Sequence, residues 1–219
     1  MLIISITISA QKDVTKFLGI PVDGFKSEMK QKLIAKGYTL KRDGNDEYLK
    51  GEFNGSDVTI HIVTNNNKVC RIMVSETNLT DVANIKIRFN RLVNQFENNK
   101  KYGYFDNQSI PEEEDISYNM SISKKIYEAV FYQKPDESKL DSTYIENVLK
   151  EKLLEKYTEK QLQEPTEEMQ EDIKNIAANL FLDIVSKKSV WFRIYDLYGK
   201  YYIALYYDNE YNRANGEDL

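Results

Sequence analysis

The feature that most restricts the fold of this chain is a change in hydrophobic period. Between Tyr48 and Val74 apolar and polar residues alternate in three short runs: Tyr48–Phe53, Val58–Val63 and Val69–Val74. A period of two sends successive side chains to opposite faces of a sheet, so these runs predict antiparallel strands with one face buried. Asn54-Gly55-Ser56 and Asn65-Asn66-Asn67 separate them. Gly and Asn tolerate positive φ, so both are hairpin turns. The pattern returns at the end of the chain, where Val190–Leu197 and Lys200–Tyr207 flank Tyr198-Gly199. Ile116, Tyr118, Met120 and Ile122 alternate with Ser117, Asn119, Ser121 and Ser123, which predicts a further half-buried strand, followed by another from Ile126 to Tyr132.

Elsewhere the period lengthens to that of helices. Phe25, Met29 and Leu33 recur every four residues, and Gly37 follows as a C′ residue. Thr80 is the expected N-cap of a helix to about Asn98, with Asp81 at its positive end and Val82, Ile85, Phe89, Leu92, Val93 and Phe96 as its apolar stripe. Ser142 is expected to cap a helix to about Tyr157. After a Gln/Glu-rich joint, Thr166 caps another whose stripe includes Met169, Ile173, Ile176 and Leu180. Strands come in hairpins and helices come in runs. The fold class is therefore α+β: an antiparallel, mostly meander sheet of about seven strands with helices packed on one face. No Pro-rich or Gly/Ser-rich linker divides the chain, so residues 11–219 read as a single α+β domain.

Hydrophobic residues make up 41% of the chain and aromatics 12%, enough for a real core. Cys70 is the only cysteine and His61 the only histidine, which excludes a disulfide framework, a structural zinc site and an iron–sulfur cluster. The glycine-rich phosphate and dinucleotide signatures and the G-x-S-x-G elbow are absent, so no cofactor is expected. Asp43-Gly-Asn-Asp-Glu47 mimics the start of a calcium loop but has Tyr48 where that loop needs Gly, and reads as a polar turn.

Residues 1–10, Met-Leu-Ile-Ile-Ser-Ile-Thr-Ile-Ser-Ala, carry no charge and are too short to cross a bilayer, which takes roughly 20 residues. They read as the remnant of a signal peptide cleaved between Ala10 and Gln11, or as an N-terminal strand. The first reading places the protein in the periplasm or at the cell surface, the second in the cytoplasm.

Gly19-Ile-Pro-Val-Asp-Gly24, Lys26-Ser-Glu-Met29, Gly37-Tyr38, Gly51-Glu-Phe-Asn-Gly55, the closing Tyr207-Asp-Asn209 with Asn215–Leu219, and the Ser9-Ala10-Gln11 junction together resemble uncharacterised exported proteins of Bacteroides-type bacteria. The resemblance implies export. That group has no assigned activity, so no catalytic residue carries over. The helix and three strands of residues 25–74 look like small periplasmic modules of the inhibitor and assembly-factor kind.

The terminal hairpin is the richest candidate site. Val190, Phe192, Ile194, Ile203 and Leu205 mark its core face, which leaves Trp191, Arg193, Tyr195, Tyr202 and Tyr206 on the other. Exposed, these aromatics and the guanidinium would stack on a sugar ring or a base, or form a protein hot spot. The commoner fate of such a face is cover by a helix or the N-terminal segment. His61 reads as a solvated sheet-face residue and Cys70 as a small buried hydrophobe, although a Cys70–His61 nucleophilic pair stays formally open. Lys86, Arg88, Arg91, Lys100 and Lys101 make one helix end basic, but the net charge is −5, so no nucleic-acid partner is expected.

The reading that follows is an exported, non-catalytic protein that binds a protein or glycan partner at the bacterial envelope. A hydrolase of envelope or dietary polymers with an unrecognised carboxylate pair is one alternative, and a cytoplasmic immunity- or inhibitor-type protein is the other.

Overall fold

The computed structural model describes residues 13–135 and 142–213. They belong to two compact units. The sheet unit takes Val14–Lys134 and the chain from Phe181 onward; the helical unit takes Pro135–Leu180 together with Asp13.

The sheet unit opens with a small hairpin of β1 (Lys16–Phe17) and β2 (Ile20–Pro21), then helix α1 (Lys26–Ala35). Strands β3 (Thr39–Asp43), β4 (Asp46–Phe53), β5 (Ser56–Asn65) and β6 (Lys68–Glu76) follow, then helix α2 (Val82–Glu97). The second half holds β7 (Tyr102–Gly103), α3 (Ile116–Ser121), β8 (Glu128–Gln133), β9 (Ser189–Leu197) and β10 (Lys200–Asp208). All eight strands of the main sheet pair antiparallel, in the order β3-β4-β5-β6-β10-β9-β8-β7. The fold is therefore α+β with an antiparallel meander sheet, as the alternation predicts. It consists of two four-stranded meanders, each preceded by a helix and joined edge to edge where β6 meets β10.

One face of the sheet carries the core. Met29 and Leu33 of α1 and Ile85, Phe89, Leu92, Val93 and Phe96 of α2 are buried against it. Phe192 lies at its centre, with Phe89 at 5.0 Å, Phe96 at 5.7 Å and Phe131 at 6.1 Å between ring centroids. The predicted turns hold: Asn54 and Gly55, Asn66 and Asn67, and Tyr198 and Gly199 all take positive φ.

Two expectations need correction. The segment from Ile116 is a helix, not a strand. The side chain of Asp115 accepts a hydrogen bond from the Tyr118 N–H at 2.9 Å and so caps the first turn. Residues spaced by two also contain pairs spaced by four, and it is the pair Ile116 and Met120 that turns inward, leaving Tyr118 and Ile122 exposed. The cap of α2 is Asp81, which accepts from the Asn84 N–H at 2.9 Å; Thr80 instead exchanges two 2.9 Å backbone bonds with Tyr201. Strand β3 was not anticipated, because Lys41, Arg42 and Asp43 hide its alternation. Such charge is characteristic of an edge strand and discourages pairing with another chain.

Primary amides secure the margins of this unit. The amide of Gln133 accepts from the Lys16 N–H at 2.7 Å and donates to its carbonyl at 2.6 Å. Asn90 holds Ile110 in the same reciprocal way at 2.8 Å in both directions, and Gln108 holds Val130. Each amide reproduces the donor and acceptor of a neighbouring strand, so backbone groups at the edge of β8 and in the 108–110 loop are satisfied without further pairing.

Gly51 is required for packing, not for its φ. The Tyr38 ring lies flat against it, and a Cβ built there would meet Cδ1 of that ring at 2.6 Å. The ring is also tethered, since its hydroxyl donates to the Glu52 carbonyl at 3.1 Å. Gly51→Ala is expected to cost about 1–3 kcal/mol through overpacking. Urea denaturation should show this as a lower midpoint at unchanged slope; an unchanged midpoint would mean that Tyr38 moves aside freely.

In the helical unit, α4 (Ser142–Leu154), α5 (Glu159–Gln163) and α6 (Glu167–Ser186, whose last turns belong to the sheet unit) follow one another. The Gln/Glu-rich joint contains α5, closed by a reciprocal capping box between Thr158 and Gln161. Lys156 and Tyr157 both donate to Asp172, at 2.7 and 2.6 Å, and the lysine beside it holds that carboxyl below its usual range. Thr166 caps α6 through a 3.4 Å bond from the Met169 N–H. The side chain of Ser142 and residues 1–10 lie outside the described residues.

Candidate functional site

The face of the sheet opposite α1 and α2 brings together all five hairpin residues singled out in the sequence. In the β9–β10 register Trp191 faces Tyr206, Arg193 faces Ala204 and Tyr195 faces Tyr202. The Trp191 and Tyr206 rings stack at 3.9 Å and 15°, and those of Tyr195 and Tyr202 at 5.3 Å and 17°. A 2.5 Å hydrogen bond joins the Tyr195 and Tyr206 hydroxyls. Tyr206 is buried; Trp191, Arg193, Tyr195 and Tyr202 are half-buried. Burial, reinforced by the bond to Tyr195, pushes the Tyr206 hydroxyl well above 10, and burial raises Tyr202 as well.

Two further members, Arg71 and Asp208, were missed from sequence. They are register partners across the β6–β10 joint. The Asp208 carboxylate is buried and accepts from Arg71 Nε at 2.5 Å, Arg71 Nη2 at 2.7 Å and Trp191 Nε1 at 2.9 Å. The guanidinium of Arg71 lies 5.2 Å from the Trp191 ring and 5.0 Å from the Tyr206 ring. The Asp208 carboxylate beside it raises the Arg71 pKa further. Arg71 falls in the polar phase of β6, between Cys70 and Ile72, so its face was legible. Its partner was not, because nothing local says that β6 lies beside β10.

The two ends of this cluster differ. At the Asp208 end, donors and acceptors are matched and the rings are closed in. At the other end Arg193 sits 4.5 Å over Tyr195, and its Nε is buried without a hydrogen-bond partner among the described residues. The faces of Tyr195 are occupied by Tyr202 and by this guanidinium.

Nothing matches. No protein-family model, curated protein or solved structure is similar to the chain.

The other candidates are absorbed by the fold. His61, half-buried on the same open face, stacks on Tyr48 of the neighbouring β4 at 5.6 Å and lies 3.8 Å from the exposed Asp46 carboxylate. Cys70 is the extra residue where β6 slips against β5; it is buried, its thiol raised by burial, and it stands three residues, about 10 Å of strand, from Met73, the register partner of His61, so the two form no nucleophilic pair. Lys86 donates to the carbonyls of Glu112 and Glu114 at 2.6 and 2.7 Å, and Arg88 pairs with the buried Glu76 at 2.7 Å. Glu76 and Asp208, the buried carboxylates among the described residues, are thus each bonded to a guanidinium. Among the described residues no group of three His, Cys, Asp or Glu side chains could hold a metal ion, and no helix is long and apolar enough to cross a membrane.

Proposed function

We propose that this chain is an exported, non-catalytic binding protein of the bacterial envelope, and that it docks a protein partner on the open sheet face around Arg193, Tyr195 and Tyr202. The observation that supports this is the incomplete end of the aromatic cluster: a half-buried guanidinium over the Tyr195 ring whose Nε has no partner among the described residues. Arg, Tyr and Trp are the residue types on which protein interfaces concentrate their energy. A glycan partner would call for rings presented face outward, and here Trp191 stacks on Tyr206 and Tyr195 on Tyr202. Export is supported by the signal-like start and by the resemblance to exported proteins.

The test begins with intact mass from fractionated cells that express the gene from its own upstream DNA. An envelope species starting near Gln11 is expected; a cytoplasmic species retaining Met1 would send the search to intracellular partners. In those cells wild type should form a cross-linked protein complex that Arg193→Glu, at unchanged Tm, loses. Competition by a polysaccharide would transfer the face to glycans, and turnover of any substrate would overturn the non-catalytic reading.

A further inference from the structure

The tip of the β9–β10 hairpin carries an anomaly that the sheet does not need. Tyr198 takes φ +55 and Gly199 φ +74, a two-residue turn with positive φ at both central positions. An L side chain is strained there unless it is Asn or Asp, and a bulky one is a true outlier. The β4–β5 and β5–β6 turns of the same sheet fill this place with Asn54 and Asn66. Leu18 takes it in the β1–β2 turn but is only 37% exposed, whereas Tyr198 is 99% exposed. Its ring therefore recovers no burial in return for the strain. Within the turn the exposed Asp196 carboxylate accepts from the Gly199 N–H at 2.8 Å.

Exposed leucines flank the hairpin tip in the chain and across the Thr80 bridge. Leu197 precedes Tyr198 and is 44% exposed. An antiparallel bridge joins Thr80 to Tyr201, and Leu79, which precedes Thr80, is 45% exposed. Asp81 and Asp196 at this rim outnumber Lys200.

We propose that Tyr198 is the anchor of the docking surface, inserted into an apolar recess of the protein partner that basic residues surround. The inference rests on the binding reading above and adds how the partner is engaged. A projecting hairpin end cannot cradle a small molecule, whose sites are concave. It can fill a cleft, with the aromatic ring as buried anchor, the aliphatics as a water-excluding ring around it, and the acidic rim matched to opposite charge. Strain held where no contact within the chain needs it points to a function.

The two roles of Tyr198 have opposite signs, which makes the test specific. Tyr198→Asn relieves the left-handed strain, so Tm should rise by about 2–4 °C. The same change should weaken partner binding about 30-fold or more. The experiment places a photoreactive benzoyl-phenylalanine at position 198, at position 202 on the sheet face, or at position 66 in the β5–β6 turn as control, in the full chain within the cells that natively express the gene. A discrete protein adduct is expected at 198 and 202 and none at 66. Excess purified wild type should compete the 198 adduct away, and Tyr198→Asn protein should fail to. Equal competition by Tyr198→Asn, an adduct at 202 but not 198, or an adduct of lipid or of a second copy would overturn the anchor while leaving the sheet-face reading to stand on its Arg193→Glu result. No protein adduct at either position would overturn both. A lowered Tm for Tyr198→Asn would remove the strain on which the inference depends.

Discussion

Asp208→Ala is expected to lower the unfolding free energy by about 3–5 kcal/mol, the usual cost of leaving one partner of a buried ion pair alone. The Asp208 side chain is only 2% exposed, and its carboxylate carries three bonds: two from Arg71 and one from Trp191. Removing it strands a partly buried guanidinium and an indole N–H together, and neither can be rehydrated without opening the β6–β10 joint. The joint is where the two meanders meet, so the loss should appear as one cooperative transition at lower urea. A companion variant makes the interpretation specific. Arg71→Met combined with Asp208→Leu removes both charges and should recover most of the loss, since apolar replacement of a complete buried pair is often neutral or stabilising. A single-variant loss under about 1 kcal/mol would show that the pair behaves as a solvent-screened surface bridge.

Between pH 10 and about 12 the protein should lose its stability and unfold. Tyr38, Tyr102, Tyr127, Tyr202, Tyr206 and Tyr207 all have their hydroxyls raised, in each case first by burial. Tyr127, with its hydroxyl bonded to the Glu114 carboxylate at 2.5 Å, is pushed up to about 12, and fully buried Tyr207 well above 10. The folded chain therefore holds protons that the unfolded chain releases near pH 10. Their contribution is complete below pH 10 and is lost as pH rises through the folded values. Among the 16 tyrosines, absorbance at 295 nm should show these six ionising only together with the loss of the far-UV circular dichroism signal. Sixteen tyrosinates forming near pH 10 with the fold intact would contradict the burial of these rings.

Much of this architecture was legible before any coordinates. Which residues of β4, β5, β9 and β10 face the core follows from alternation, as it does in β6 beyond the bulge at Cys70. So does the gathering of Trp191, Arg193, Tyr195, Tyr202 and Tyr206 on one face, because a strand turns each side chain by half a revolution whatever surrounds it. The turns at Asn54-Gly55, Asn66-Asn67 and Tyr198-Gly199 were legible for the same reason: backbone sterics at two residues decide them. For Ile116–Ile122 alternation pointed to a strand alone, and the capping carboxylate of Asp115 is what the structure uses to start a helix there instead.

Only the tertiary structure decided which strand lies beside which. The sequence order of β6 and β7 suggests neighbours, yet β6 pairs with β10, more than a hundred residues away along the chain. That choice placed Arg71 against Asp208, drew Trp191 and Tyr206 into their buried cluster, and left Arg193 at the incomplete end. Alternation tells each strand which way to face but carries no label for its neighbour. The neighbour is chosen by the joint burial of apolar faces from distant segments, a free energy that no stretch of the chain holds alone.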